Sequence, residues 1–419
     1  MPDDGLIQVG HGVATLAVPE GTALGGYADR DHGSVGTLDP LEVHAVVVRR
    51  GDTTAVVCVA DLLAVNTDLV AHTRTVVAGL VGAPPRLVWL TATHTHAGPD
   101  ATCRPRGGAT PGGWLELVGE AVVVAVEQAD RTVTPASLSL HKGSLDDVGG
   151  QRSGAQRGLT APAGVVSVRR PGGGELVGVL AFVGVHSTVL DATNTAVSAD
   201  LPGGIRRALT RDVDAWCVVG TGAAGDISTR PHRRAQTPAE VDRLGSLSAQ
   251  QLLALADQPP VADGDPSRPL RGAAGEALLA PKPGPAPAEA ASAEARAHAA
   301  YQRATRHSSD RVGLRDAYTT WQATRIAAQT TADGSDVPCA VARLDLSGIE
   351  LVGLGGEPFS ALERVTGPHQ LLVGYANGYA GYLPIAAAYQ RQEYEVLMSP
   401  VAPGESERLT KLAATLELS

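Results

Sequence analysis

The chain has 419 residues, enough for one large catalytic domain or two ordinary ones. Its formal net charge is -10, from 44 acidic against 34 basic residues, and it has no basic run. That excludes a phosphate-neutralising nucleic-acid surface. Aromatic residues make up only 3%, so the core must be built from Val, Leu and Ala.

The start, Met1-Pro2-Asp3-Asp4-Gly5, is acidic and runs straight into a strand pattern. With no leader and no apolar run of spanning length, the expectation is a cytoplasmic protein without a membrane anchor. Cys58, Cys103, Cys217 and Cys339 are scattered, with no CxxC pair. Neither a disulfide framework nor a thiolate metal site is expected, and three of the four read as buried thiols.

Taken in chain order, apolar β-branched runs predict strands at 54–60, around Trp89, at 176–185, 215–220, 349–354 and 370–375. Helical periodicity falls at 68–80, 113–129, 199–209 and 238–255. The Pro/Gly/Ala-rich stretch 258–287 reads as a long surface loop, followed by helices at 288–305 and 311–328. The pattern resumes at Val337. The expected organisation is one domain over 1–419, with a loop-plus-helix insertion at 256–335 lying over the active face.

The segment Leu87-Val88-Trp89-Leu90-Thr91-Ala92-Thr93-His94-Thr95-His96-Ala97-Gly98-Pro99 is the most telling. A buried strand ends in two imidazoles two residues apart. If the backbone stays extended, both project to one side. Such a pair suits a metal site, or an acid/base pair beside one, and a tetrahedral zinc site needs further ligands from elsewhere. Other strands run into Asp61, His186, Ser228, Glu357 and Tyr382. This suggests one shared edge where loops gather functional groups. By themselves Glu357 reads equally well as a helix-start residue before Pro358, and Tyr382 as a loop aromatic.

Eight pieces in order resemble the neutral/alkaline (non-lysosomal) ceramidases, zinc amidases that hydrolyse the N-acyl bond of ceramide. Gly25-Gly26-Tyr27 with Gly36 is similar to that family's glycine-tyrosine turn. Thr93-His94-Thr95-His96-Ala97-Gly98-Pro99 resembles its histidine signature, with Ala97 in place of Ser. His141-Lys142-Gly143 with Gln151-Arg152-Ser153, Val185-His186-Ser187-Thr188 with Asn194 and Asp200, and Gly225-Asp226-Ile227-Ser228 follow. Gly356-Glu357-Pro358-Phe359, Asn377-Gly378-Tyr379-Ala380-Gly381-Tyr382 and Gln390-Arg391-Gln392-Glu393-Tyr394-Glu395 complete the series.

The resemblance implies an α/β catalytic domain of mixed sheets with flanking helices and an active site at strand ends. The expectation is a catalytic domain without the additional C-terminal β-domain of the longer ceramidases. The resemblance further implies one Zn2+ per chain, held by His94, His186, Glu357 and Tyr382. His96, Arg152, Tyr394 and Ser228 are the implied catalytic or substrate-contacting residues. Asp61, Asn194, Asp200 and Asp226 are implied to be supporting. The expected reaction is hydrolysis of an N-acyl amide, from a lipid-like or a smaller soluble substrate. The alternatives are a zinc enzyme of specialised metabolism acting by hydrolysis or acyl transfer, and a non-catalytic binding protein on the same scaffold.

Overall fold

The strand Thr53–Ala60 shows how the core is organised. Every residue from Thr54 to Ala60 is buried. Val56, Cys58 and Ala60 pack on one side with residues of the helices Thr67–Val81 and Gly112–Arg131, among them Leu69, Val122 and Val126. Ala55, Val57 and Val59 pack on the other side with a second sheet. The side-chain period of two thus divides one apolar run between two cores, as a strand covered on both faces requires.

The computed structural model describes residues 6–27, 30, 32–103, 108–152, 158–307, 311–329, 335–391 and 393–419. Met1 to Gly5, Ser153 and Gln392 lie outside the described residues.

The first sheet has the order Val88–Ala92, Thr53–Ala60, Leu41–Arg50, Gln8–Leu16, Thr134–Pro135. Its first pair is parallel and the rest are antiparallel. The second sheet runs Trp216–Thr221, Leu176–Val183, Ala161–Arg169, Ser137–Leu145, Ala262–Asp263, again with one parallel pair at the edge. Helices Asp200–Asp212 and Pro238–Ala256 share a core with its outer face through Leu201, Ile205, Leu244 and Leu252. Between the two sheets, Val46, Val57 and Trp89 meet Leu140, Val166, Leu180 and Phe182. A third sheet of Leu270–Leu279, Val337–Leu346, Ile349–Leu354 and Gln370–Val373 adds Leu344, Leu351 and Leu371 to that same core.

The helix Gly112–Arg131 lies so close to the strand Gln8–Leu16 that a Cβ on Gly12 would fall 2.0 Å from the Ala125 carbonyl oxygen. Only glycine permits that approach. Cys58, Cys217 and Cys339 are buried thiols outside any disulfide, as expected, and Cys103 is a partly exposed thiol outside any disulfide. Among the described residues no helix is long and apolar enough to cross a membrane.

The six strands and six helices expected from the sequence are present, with ends shifted by up to three residues. The stretch 258–287 is a correction. It contains the short strand Ala262–Asp263 and the ten-residue strand Leu270–Leu279, which pairs antiparallel with Val337–Leu346 along its whole length. Its residues, LRGAAGEALL, include no β-branched side chain. Its strand state comes from a partner far away in sequence, which local propensity does not report.

Candidate metal centre and active-site cavity

Three short backbone ladders bring the site together. The strand Val88–Ala92 stops two residues before His94, whose φ of 59° is left-handed. The extended arrangement expected for His94-Thr95-His96 is therefore wrong; a turn, not strand alternation, converges the two rings. The turn is anchored because the Thr93 carbonyl accepts from the hydroxyls of Ser187 (2.7 Å) and Thr221 (2.8 Å), both from the second sheet's side. His186 bridges Ser228, and Ile227–Ser228 pairs with Gly150–Gln151, so Arg152 emerges beside His186. Glu357 and Tyr382 are direct partners in a two-residue parallel ladder. The single shared sheet edge expected from the sequence is replaced by a meeting of several sheets.

The donor atoms converge closely. His186 Nε2 lies 3.0 Å and His94 Nε2 3.5 Å from Glu357 Oε2. His96 Nε2 lies 3.2 Å from His94 Nε2. Ligand atoms of His94, His96 and His186 all fall within 4.8 Å of one another. His94, His96, His186 and Glu357 are all buried. Tyr382 donates no clear anchor here; its hydroxyl accepts from Arg152 Nη1 at 2.9 Å.

The outer atoms fix the tautomers. His94 Nδ1 is 2.7 Å from the Leu63 carbonyl, and His186 Nδ1 is 2.7 Å from the Ala224 carbonyl. A carbonyl only accepts, so each Nδ1 carries the proton and each Nε2 turns a lone pair inward. Burial, and then the Arg152 charge, press the His186 imidazole down to about 4. Burial with neighbouring His94 and His186 holds His96 well below the ordinary imidazole value. Burial opposes ionisation of Glu357, yet the flanking His94 and His186 outweigh it and keep its carboxyl well below the usual range. Inward lone pairs around a buried carboxylate are a donor set that could hold a divalent cation. Among the described residues His94, His96 and His186 form the cluster whose ligand atoms lie within 4.8 Å of one another, Glu357 Oε2 lies beside His94 and His186, and Tyr382 stands beside Glu357.

Two tyrosines unassigned by the sequence reading complete the carboxylate's bonding. Tyr375 donates to Glu357 Oε2 at 3.3 Å and stacks on His94 with ring centroids 4.2 Å apart. Tyr379 donates to Oε1 at 2.5 Å. Such partners orient a ligating group and set its basicity. A sequence signal existed: in a chain with eight tyrosines, three fall between 375 and 382.

Arg152 is the hinge between the cluster and the cavity. Its Nη1 lies 3.0 Å from His186 Nε2, and its Nε 3.0 Å from the buried Glu395 carboxylate. Its guanidinium also sits 5.7 Å from the centre of the Tyr394 ring. Burial works against its charge, but Tyr382 and Glu395 hold it protonated. Arg152, His96, Tyr382 and Tyr394 line a cavity of about 240 Å³ with Gly26 and Tyr27. Tyr318, Thr319 and Gln322, from the helix Arg311–Gln329, line it too. Ser228 is buried behind this wall, where its backbone pairs with His186.

The remaining polar residues tie the frame. Asp61 takes two bonds from buried Arg206. Asp200 accepts the Val189 and Leu190 amides, and burial raises its carboxyl to about 7. Asp226 binds the Ser360 amide and hydroxyl, and burial raises it to about 6. Asn194 donates to the Ala196 carbonyl.

Gly26 has a φ of 90°, and a Cβ there would lie 2.3 Å from His96 Cγ. Gly26→Ala is expected to destabilise the fold by about 1–3 kcal/mol and to displace His96. Thermal unfolding together with turnover checks this; wild-type values for both would remove Gly26 as the seat of the His96 ring.

No family model matches the chain. It is 28% identical over 223 residues to the neutral ceramidase of Mycobacterium tuberculosis, a match spanning 47% of this chain and 35% of that protein. Among solved structures, a ceramidase complexed with C2 aligns with a TM-score of 0.75 at 16% identity, covering 98% of this chain and 74% of that one. The neutral ceramidase of Pseudomonas aeruginosa aligns with a TM-score of 0.74 at 17% identity, with the same coverage. The chain is thus similar to neutral ceramidases over part of its sequence, and its mixed sheets with flanking helices are the neutral ceramidase fold. The sequence match amounts to about a third of the mycobacterial protein's length.

Proposed function

We propose that the chain is a zinc-dependent amidohydrolase that cleaves an N-acyl amide with water. The observation that supports this best is the convergence of two Nδ1-anchored imidazoles, His94 and His186, on the Glu357 carboxylate at the edge of a cavity. The ceramidase-like relatives support the same reaction class.

In this reading His94, His186, Glu357 and Tyr382 hold one Zn2+. When bound, such an ion supplies Lewis acidity, which acidifies water and polarises a carbonyl. The chain's own residues do the rest. Arg152 and Tyr394, side by side on the cavity wall, stabilise negative charge developing on the carbonyl oxygen. His96, neutral at pH 7 and facing the cavity, passes a proton to the departing amine. Ser228, buried behind the wall and outside the cavity lining, supports His186 through the backbone bridge and not the substrate. Bond changes balance simply: the amide C–N bond breaks, water supplies the oxygen to the acyl carbon, and its protons end on the products.

One observation favours a variant of this ligand set. His96 Nε2 lies 3.2 Å from His94 Nε2, and ligand atoms of His94, His96 and His186 all fall within 4.8 Å of one another, so a three-imidazole site fits the same cluster. Metal content by mass spectrometry separates the two. His96→Ala is expected to keep the ion and lose turnover, whereas Glu357→Ala loses both. An ion lost with His96 and kept without Glu357 would establish the alternative. A folded preparation that binds no metal and hydrolyses no N-acyl amide, across acyl lengths from acetyl to a short-chain ceramide, would overturn the enzyme and leave a binding protein.

A further inference from the structure

The walls of the active-site cavity say what kind of amide belongs there. Among the described residues no Leu, Ile, Val, Met or Phe lines it. A lipid needs an aliphatic wall against which its chains leave water. At about 240 Å³ the cavity also falls below the ~300–1,000 Å³ usual for drug-sized ligands.

Arg230 and Arg233 stand on this wall, just past the Ile227–Ser228 strand that pairs with His186. The backbone therefore sets them at a fixed place relative to the cluster. Arg233 is anchored to the Thr188 carbonyl and its amide to Thr229, while the Arg230 amide meets Ser228 Oγ at 3.4 Å. Both residues line the cavity together with Tyr27 and Tyr394. A guanidinium has five donors and can serve an anion while keeping bonds within the protein. The acidic side chain on the wall is Asp191, whose carboxylate already accepts the Thr193 amide (3.0 Å) and hydroxyl (2.6 Å).

We infer that the substrate is a small amide carrying a carboxylate, received by Arg230 and Arg233, and not a two-chain neutral lipid. The inference rests on the amidohydrolase reading for the reaction, but the preference for an anion does not. Guanidinium groups pair with carboxylate through two parallel bonds, which gives both affinity and orientation.

The test is calorimetric titration of the zinc-loaded protein with N-butyryl-β-alanine, its carboxamide and glutaric acid monopropylamide, followed by assays of cleavage. The first and third place the carboxylate on the amine half and on the acyl half. At least one acid is expected to bind about tenfold or more tightly than the carboxamide. Arg230→Gln and Arg233→Gln should each erode that ratio, and Arg230→Lys should restore part of it. Should Arg233→Gln fail to fold, Arg230→Gln alone carries the test. Acids and carboxamide binding within about twofold of one another, or no acid binding at all, overturn the inference. A short-chain ceramide cleaved in preference to every acid also overturns it and leaves the amidohydrolase standing. An acid preference with no cleavage does the reverse.

Discussion

Replacing His94 or His186 with Ala is expected to empty the centre of zinc and to reduce amide hydrolysis beyond the ~10–100-fold that loss of a merely supporting residue costs. Each imidazole is buried, supplies an inward Nε2, and has its ring orientation set by one backbone carbonyl. Removing either leaves too few donors to displace the ion's water. It also leaves the Leu63 or Ala224 carbonyl without its partner, at a cost of about 1–3 kcal/mol. Stability must therefore be followed with metal content. The informative result is a folded variant with less than stoichiometric zinc and no turnover. Full zinc occupancy in either variant would break the ligand assignment at its best-supported positions.

Arg152→Ala is expected to behave in the opposite way, retaining the ion while kcat falls by about 10²–10³-fold, the usual loss for one oxyanion donor. The complication is Glu395, which is 3% exposed and would keep a buried charge without its guanidinium. Breaking such a pair costs about 3–5 kcal/mol. The decisive protein is Arg152→Ala combined with Glu395→Gln, where that charge is gone. Melting temperature should recover in the double variant and kcat should not. A kcat that recovers with stability would make Arg152 a structural residue only.

Sequence pattern carried further here for strands buried on both faces than for edges. Thr53–Ala60 and Leu176–Val183 announce themselves because a run covered on both sides must be apolar throughout. Leu270–Leu279 does not, since its Ala and Gly residues gain strand geometry from Val337–Leu346, whose paired residues lie 58 to 76 positions further along the chain. The same limit governed the site. His94, His96, His186, Glu357, Tyr382, Arg152 and Tyr394 were all nameable from ordered motifs, and the fold brings these seven together. Their mutual geometry was not nameable. The rings of His94 and His96 meet through a left-handed turn at residue 94 that no side-chain alternation predicts.

Residue chemistry alone determined which groups can bind a cation and which runs must be buried. Tertiary structure alone decided which lone pairs face inward, that Tyr375 and Tyr379 clasp Glu357, and that among the described residues arginines and tyrosines, with no Leu, Ile, Val, Met or Phe, line the cavity. The reason is physical. Patterning is a property of neighbours along the chain, whereas a donor set is made by residues hundreds of positions apart, and only packing fixes their distances and tautomers.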